Sequence, residues 1–177
     1  DAELRSAALR RLHATEPRVI TAVVTQRIAV SPPAEQIGML EITREVYGRL
    51  GGLDASLDEA LADRIRDSNV AVAAKAITIL SELGVRAAYL PLREVASKPG
   101  SPLREQAIGA IGRLRDPRAV IFFRQLLETQ GAPREATMMA LPSKEGAISL
   151  YNADAKIKAA LAGKNASAPV ALQLKAG

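Results

Sequence analysis

The fold is decided by residues 70–84, VAVAAKAITILSELG, and residues 101–115, SPLREQAIGAIGRLR, which repeat one pattern at an offset of 31 residues. Within each stretch, apolar residues recur every third or fourth position, the spacing of one face of an α-helix. The coinciding apolar positions are Ala76, Ile77, Leu80 and Leu83 in the first stretch and Ala107, Ile108, Ile111 and Leu114 in the second. The offset accommodates two helices of about a dozen residues each, so the pattern predicts a helix pair as the repeating unit.

The repeat continues on both sides of these stretches. Residues 86–97 predict a shorter helix whose buried side contains Ala88, Leu92, Val95 and Ala96, and Ala88 overlays on Ala119 at the same offset. Further helices are predicted near residues 4–12, from Pro17 and from Pro33 to Leu50. They are separated by breaks at Glu16-Pro17, Ser31-Pro32-Pro33, Gly51-Gly52, Pro99-Gly100-Ser101-Pro102 and Asp116-Pro117.

We therefore expect an all-α fold, a right-handed α-solenoid of about four to five antiparallel helix pairs. Neither helix of such a pair can bury its apolar stripe alone, so neighbouring pairs must stack. We assign residues 1–141 to the helical repeats and residues 142–177 to an irregular C-terminal cap and tail. The tail alternates Val170, Leu172 and Leu174, and the alternative to a cap is that it docks on another chain.

The stretch from Asp67 to Leu141 resembles the HEAT family, in particular its short phycobilin-lyase-like form. The resemblance is carried by the Ala-Ile-x-x-Leu/Ile-x-x-Leu stripe, by a Gly or Asp turn, and most closely by Asp116-Pro117-Arg118-Ala119-Val120. It covers about 75 residues well and the first 66 more loosely. It implies a HEAT-like superhelix that binds a partner, and it says little about activity because these motifs are structural.

The composition provides few of the residue types that catalytic and metal sites use. The chain has no cysteine and a single histidine, His13, so the usual zinc and di-iron ligand sets cannot be assembled. Two carboxylate pairs have i,i+4 spacing, Glu41/Glu45 and Asp63/Asp67, but arginines surround both pairs, which favours a salt-bridged surface. We predict no catalytic residue, no metal site and no cofactor, and we interpret the chain as a protein that is not an enzyme.

The positive charge is concentrated in the middle of the chain. Residues 86–134 carry nine Lys/Arg and four Asp/Glu, a net +5 that equals the net charge of the whole chain because the segments on either side cancel. In stacked helix pairs the second helix of each pair lines the concave side, and residues 70–84 and 102–114 are predicted second helices. The candidate partner-binding ridge there consists of Lys75, Arg104, Gln106 and Arg113. The sequence therefore predicts a scaffold or adaptor that binds another protein through this surface or through the C-terminal tail.

Two alternatives remain open. A nucleic-acid-binding module would use the arginine-rich region, with Arg104, Arg113, Arg118 and Arg134 as contacts. The absence of tryptophan, and the placement of most Tyr and Phe residues on or beside core stripes, leave it without stacking platforms. The phycobilin-lyase-like resemblance implies a third option, a subunit of a chromophore lyase.

Gly109 and Gly112 lie inside a predicted helix, where we expect close helix packing and not phosphate binding.

The compartment is not fixed by the sequence. No apolar stretch reaches membrane-spanning length, and no signal peptide is visible. The chain begins at Asp1 without Met, which predicts a processed protein or an excised fragment. A soluble cytoplasmic protein and an exported mature chain both fit.

Overall fold

The computed structural model of the chain describes residues 14–50, 55–129 and 133–140, and all regular structure in these ranges is helical. Short 3₁₀ turns at Arg64–Arg66 and Arg86–Ala88 adjoin two of the helices. The α-helices are α1 (Pro17–Arg27), α2 (Pro33–Leu50), α3 (Ala55–Asp63), α4 (Val70–Leu83), α5 (Tyr89–Ser97), α6 (Arg104–Arg113), α7 (Arg118–Glu128) and α8 (Arg134–Met139).

The helices form two layers. The second layer consists of α2, α4, α6 and α8, each of which contacts the next along the stack. The first layer contains α1, α3, α5 and α7, where α1 packs on α3 and α3 packs on the 3₁₀ turn before α5. Successive helices of the two layers pair as α1/α2, α3/α4, α5/α6 and α7/α8, and these pairs are also in contact. This is the arrangement of a HEAT-like α-solenoid.

Local signals explain where α4 begins and ends. The side chain of Asn69 accepts hydrogen bonds from the backbone N–H groups of Ala71 and Val72, which satisfies two donors that the helix leaves free. At the other end Gly84 adopts a left-handed conformation, φ 69°, and the N–H groups of Gly84 and Val85 both bind the carbonyl of Leu80. Asn69 therefore caps the start of α4, and Gly84 ends the helix.

The centre of the core is α4, which is buried on more than one side. Of the predicted stripe residues, Val72, Ala73, Ala76, Ile77 and Leu80 are buried, and Leu83 at the end of the helix is half-buried. Ile79 and Ser81 are also buried although they lie outside that stripe. The reason is that α4 packs between α2 and α6 in its own layer and against α3. A helix with neighbours on both flanks buries more than the single face that its periodicity indicates.

Close backbone approach occurs where α6 meets the end of α8. Gly112 is buried, and a Cβ atom at this position would lie 2.0 Å from the carbonyl oxygen of Ala140. Gly109, one turn earlier, has room for a Cβ, whose nearest neighbour would be a guanidinium nitrogen of Arg113 at 3.8 Å. The expected close packing is thus confirmed for Gly112 and is wrong for Gly109.

The all-α architecture of stacked helix pairs is confirmed, and the described residues contain four pairs. The helix predicted near residues 4–12 and the cap and tail at residues 142–177 lie outside the described residues. In the part of the chain that the structure describes, no helix combines the length and the apolar character needed to cross a membrane.

Candidate functional site

Polar side chains join α2 to α4 on the solvent-exposed face of the second layer. The Lys75 Nζ on α4 donates to Glu41 Oε1 on α2 at 3.0 Å, and the side chains are 35% and 43% exposed. An ion pair at this exposure contributes little to stability, on the order of 0–1 kcal/mol. Its effect is mainly geometric, because it holds the lysine across the boundary between two repeats.

The same face is continued by hydrogen bonds between α6 and α4. Gln106 donates through Nε2 to the carbonyl of Ala74 and to Thr78 Oγ1, both at 3.0 Å. The Arg113 Nε donates to Ser81 Oγ at 3.1 Å. With the ion pair above, these contacts form a chain of polar bonds across three helices, which we call the second-layer ladder. It consists of Glu41, Lys75, Thr78, Ser81, Gln106 and Arg113.

Arg104, the fourth residue of the predicted ridge, lies on another side of α6. Its Nε donates to the carbonyl of Ala96 at the end of α5, at 3.0 Å. Nine residues separate Arg104 from Arg113, which places them about 180° apart around a helix of 3.6 residues per turn. The structure therefore places Lys75, Gln106 and Arg113 on the same face of the second layer. It directs Arg104 toward α5 in the first layer.

The two carboxylate pairs are engaged in ion pairs. Glu41 binds Lys75, as described above, and Glu45 lies 3.3 Å from Arg44. Asp63 and Asp67 each bind the arginine three residues away, at 3.1 and 3.2 Å respectively. All four carboxylates are thus ion-paired as predicted, and three of the pairs lie on the surface. The Arg64–Asp67 pair does not, because its side chains are only 16% and 12% exposed.

Arg118 is fixed at the start of α7. Its guanidinium forms two hydrogen bonds with the carboxylate of Asp116, at 2.9 and 2.7 Å, and lies over the ring of Tyr89 with 4.2 Å to the centroid. Asp116 is 9% exposed and also accepts from the backbone N–H of Arg118. These hydrogen bonds lower the pKa of Asp116 below its ordinary value of 3.8. The bonds of Arg118 direct it to the first layer and not to the second-layer ladder.

The remaining sequence candidates fall outside the described residues in whole or in part. His13 lies outside them, as does the side chain of Arg134. Among the residues that the structure describes, no group of three His, Asp or Glu side chains is placed to hold a metal ion.

The paired helices in two layers, with polar bonds linking successive repeats, define an α-solenoid of short helical repeats. Residues 59–142 match the family model of HEAT repeats, which supports the HEAT-repeat family for this region. No curated protein and no solved structure gives a significant match to the chain.

The sequence overlay missed the residue pairs that form the ladder. It aligns Lys75 with Gln106 at an offset of 31, whereas Gln106 contacts Ala74 and Arg113 contacts Ser81, both at an offset of 32. Residues at equivalent positions of two stacked helices face the same direction. Gln106 and Arg113 therefore each contact the residue one position before their own equivalent in the preceding repeat. A search for polar residues 32 positions apart would have found the Arg113–Ser81 pair. It would not have found the Gln106–Thr78 pair, whose offset is 28, or the bond of Gln106 to the backbone carbonyl of Ala74.

Proposed function

We propose that the chain is a protein-interaction scaffold that holds a partner protein against the solvent-exposed face of its second helix layer, the side predicted to be concave. The observation that carries this proposal is the second-layer ladder. Its side chains are bound to neighbouring helices before any partner arrives, so a partner meets groups whose rotamers are already restricted. A broad, mostly preformed surface is how stacked helical repeats recognise other proteins.

Lys75, Gln106 and Arg113 are the proposed partner contacts, with Arg113 as the anchor. Arg113 is exposed, and among the described residues no carboxylate lies within ion-pair distance of it. Arginine is enriched among the residues that dominate binding energy, because it offers several donors in a fixed plane. The partner should therefore present a carboxylate or a row of carbonyl oxygens to this position. The segment 142–177 remains a second proposed docking element.

We further propose that the scaffold is non-catalytic. Two observations support this part of the proposal. HEAT repeats, which residues 59–142 match, usually mediate protein–protein interaction. The four acidic residues that could have served as a general acid and base, Glu41, Glu45, Asp63 and Asp67, are each paired with a basic side chain.

The short phycobilin-lyase-like form is our proposal for the subtype of the repeat. Its support is the 31-residue offset between residues 70–84 and 101–115 and the Asp116-Pro117-Arg118-Ala119-Val120 motif. The proposal concerns the repeat alone, since its motifs are structural and carry no chromophore-attaching residues.

Affinity capture from a lysate of the source organism tests the scaffold function. The baits are the wild-type chain, Arg113→Glu on the ladder, and Arg18→Glu as a matched exposed arginine on α1. Capture is performed at low and at high salt with nuclease treatment. We expect a protein that is retained by the wild type and by Arg18→Glu and is lost with Arg113→Glu. Recovery of nucleic acid that high salt removes, or equal retention by all three baits, would contradict the proposal.

A further inference from the structure

A second repeated feature lies on the outer face of the first layer. In α5 the exposed Leu90 is followed three residues later by the exposed Arg93, and in α7 Ile121 is followed in the same way by Arg124. The two pairs are separated by 31 residues, the repeat offset, so they occupy equivalent positions on neighbouring first-layer helices. Leu90 is 54% exposed and Ile121 is 64% exposed.

Cations flank these apolar side chains. Arg93 lies one turn after Leu90 on α5, and the exposed Arg86 lies in the 3₁₀ turn that precedes this helix. Among the described residues no carboxylate lies within ion-pair distance of Arg86, Arg93 or Arg124. We call this surface the first-layer arginine face, which consists of Arg86, Leu90, Arg93, Ile121 and Arg124.

Two nearby carboxylates are neutralised by other arginines. Glu94 forms a two-bond ion pair with Arg66, including Arg66 Nη2 to Glu94 Oε1 at 2.9 Å. Asp116 binds Arg118 through both of its oxygens. Glu128, which is exposed on α7 one turn after Arg124, is the carboxylate that shares the side of Arg124. The three arginines Arg86, Arg93 and Arg124 therefore leave an excess of positive charge on this face.

A shallow cleft extends the face toward α3. It has a volume of about 550 Å³ and opens beside Leu90, between the 3₁₀ turn at Arg64–Arg66 and α5. Its lining contains three cations and one carboxylate together with apolar and small residues: Arg66, Leu90, Arg93, Glu94, Ser97, Lys98 and Pro99. An apolar side chain could enter next to Leu90 while an acidic neighbour reaches Arg93 or Lys98.

We propose that the first-layer arginine face docks an acidic amphipathic segment of a partner protein. Carboxylates on that segment complement the excess positive charge, and its apolar residues cover Leu90 and Ile121. Phosphate backbones would gain nothing from these two aliphatic side chains. Two isolated aliphatic residues also provide far less apolar area than a helix needs to lie in a membrane interface. This face is separate from the second-layer ladder, and its function rests only on the general proposal of a protein-binding scaffold.

The test uses a fluorescein-labelled synthetic peptide in which leucines recur at every third or fourth position among glutamates. A scrambled peptide of the same composition, which has no apolar face, is the control probe. Binding is measured by fluorescence anisotropy with the full chain, with Leu90→Ser/Arg93→Glu, and with Ile121→Ser/Arg124→Glu. The matched control is Val19→Ser/Arg18→Glu, which changes an exposed valine and an exposed arginine of α1. Circular dichroism confirms that each variant is folded.

We expect the amphipathic peptide to bind the wild type more tightly than the scrambled peptide does, and binding to weaken with salt because surface charges are screened. Each face variant should weaken binding by about tenfold or more, and the α1 control should change it by less than about twofold. Equal binding of the two peptides, or an equal loss in the α1 control, would overturn the proposal. So would a DNA duplex or an anionic phosphatidylserine vesicle that binds through these residues when the peptide does not. Arg113→Glu leaves this face intact, so failure here is distinguishable from failure of the second-layer proposal.

Discussion

Gly84 and Arg115 occupy equivalent positions at the ends of α4 and α6, and both have a left-handed backbone. Their φ angles are 69° and 51°. Glycine adopts this conformation without steric cost, whereas an arginine Cβ crowds the following carbonyl, at a cost of about 1–2 kcal/mol. One repeat thus ends with the residue suited to the turn, and the next ends with a residue that strains it.

The difference predicts opposite effects of two substitutions. Arg115→Gly should raise the free energy of unfolding by up to about 1 kcal/mol, since the glycine removes the strain. Gly84→Ala should lower it by about 1 kcal/mol, and because a Cβ there would meet no atom within 4 Å, the loss would be purely conformational. Urea unfolding followed by circular dichroism measures both. A stabilised Gly84→Ala variant would show that the turn does not control this helix end.

The two glycines of α6 distinguish the effect of helix packing from the effect of helix propensity. Gly112→Ala should destabilise the fold by about 1–3 kcal/mol, because the new methyl group would overlap the backbone at Ala140. Gly109→Ala, on the same helix with open space around it, should stabilise the fold by about 0.5–1 kcal/mol, since alanine favours the helix. The comparison uses the same substitution and the same unfolding assay. Similar effects at the two positions would contradict the close approach of α6 to the end of α8.

At the scale of the element, Asp116 determines the start of α7. Its carboxylate accepts the backbone N–H of Arg118 and also binds the Arg118 guanidinium, so one side chain provides a helix cap and an ion pair. The guanidinium in turn lies on the Tyr89 ring of α5, which connects the starts of two first-layer helices. Asp116 is the capping residue, because its side chain accepts the N–H of Arg118 and its backbone carbonyl accepts the N–H of Ala119.

Substitution of Asp116 should separate these two contributions. Asp116→Ala loses the cap and the ion pair and should cost about 1–2 kcal/mol, whereas Asp116→Asn keeps a capping oxygen and should cost less. The pKa of Asp116 is lowered in the folded state. The stability that the ionised carboxylate contributes is therefore complete above pH 3.8 and is lost as the pH falls through the lower folded pKa. Unfolding midpoints measured from pH 7 to pH 2 should fall less steeply in Asp116→Asn than in the wild type. Parallel curves would contradict this role.

The elements were predictable from the sequence where a local signal specifies them. The 31-residue offset defines α4, and Asp116-Pro117 defines the start of α7. Burial of Ile79 was not predictable, because it depends on the helices on both flanks of α4. The placement of Arg104 on the side of α6 opposite Arg113 was predictable, because nine residues correspond to about 180° around a helix. The bond of Arg104 to the carbonyl of Ala96 on α5 depends on helix packing and was not predictable.

At the scale of the whole molecule, the stack presents two different surfaces. The second layer has a polar ladder whose groups are mostly bonded to neighbouring helices. The first layer has the exposed Leu90 and Ile121 beside Arg93 and Arg124, which form no ion pair with any residue that the structure describes. The first-layer arginine face is made by equivalent positions of successive repeats, whereas in the ladder only Lys75 and Gln106 are equivalent. A scaffold of this kind could hold one partner on each layer. The sequence pointed to the arginine-rich region as a whole, and the structure divides that region between the two layers.

The central claim is that the partner contacts the second layer, and site-specific photo-cross-linking tests it most directly. A photoreactive amino acid replaces Ala71, which is exposed on α4 one turn before Lys75, or Ala22, an exposed alanine of α1 that serves as the matched control. Both replacements leave every residue of the ladder in place. After irradiation in the lysate, we predict a covalent adduct with one partner protein at position 71 and none at position 22. An adduct at position 22 with none at position 71 would contradict the claim.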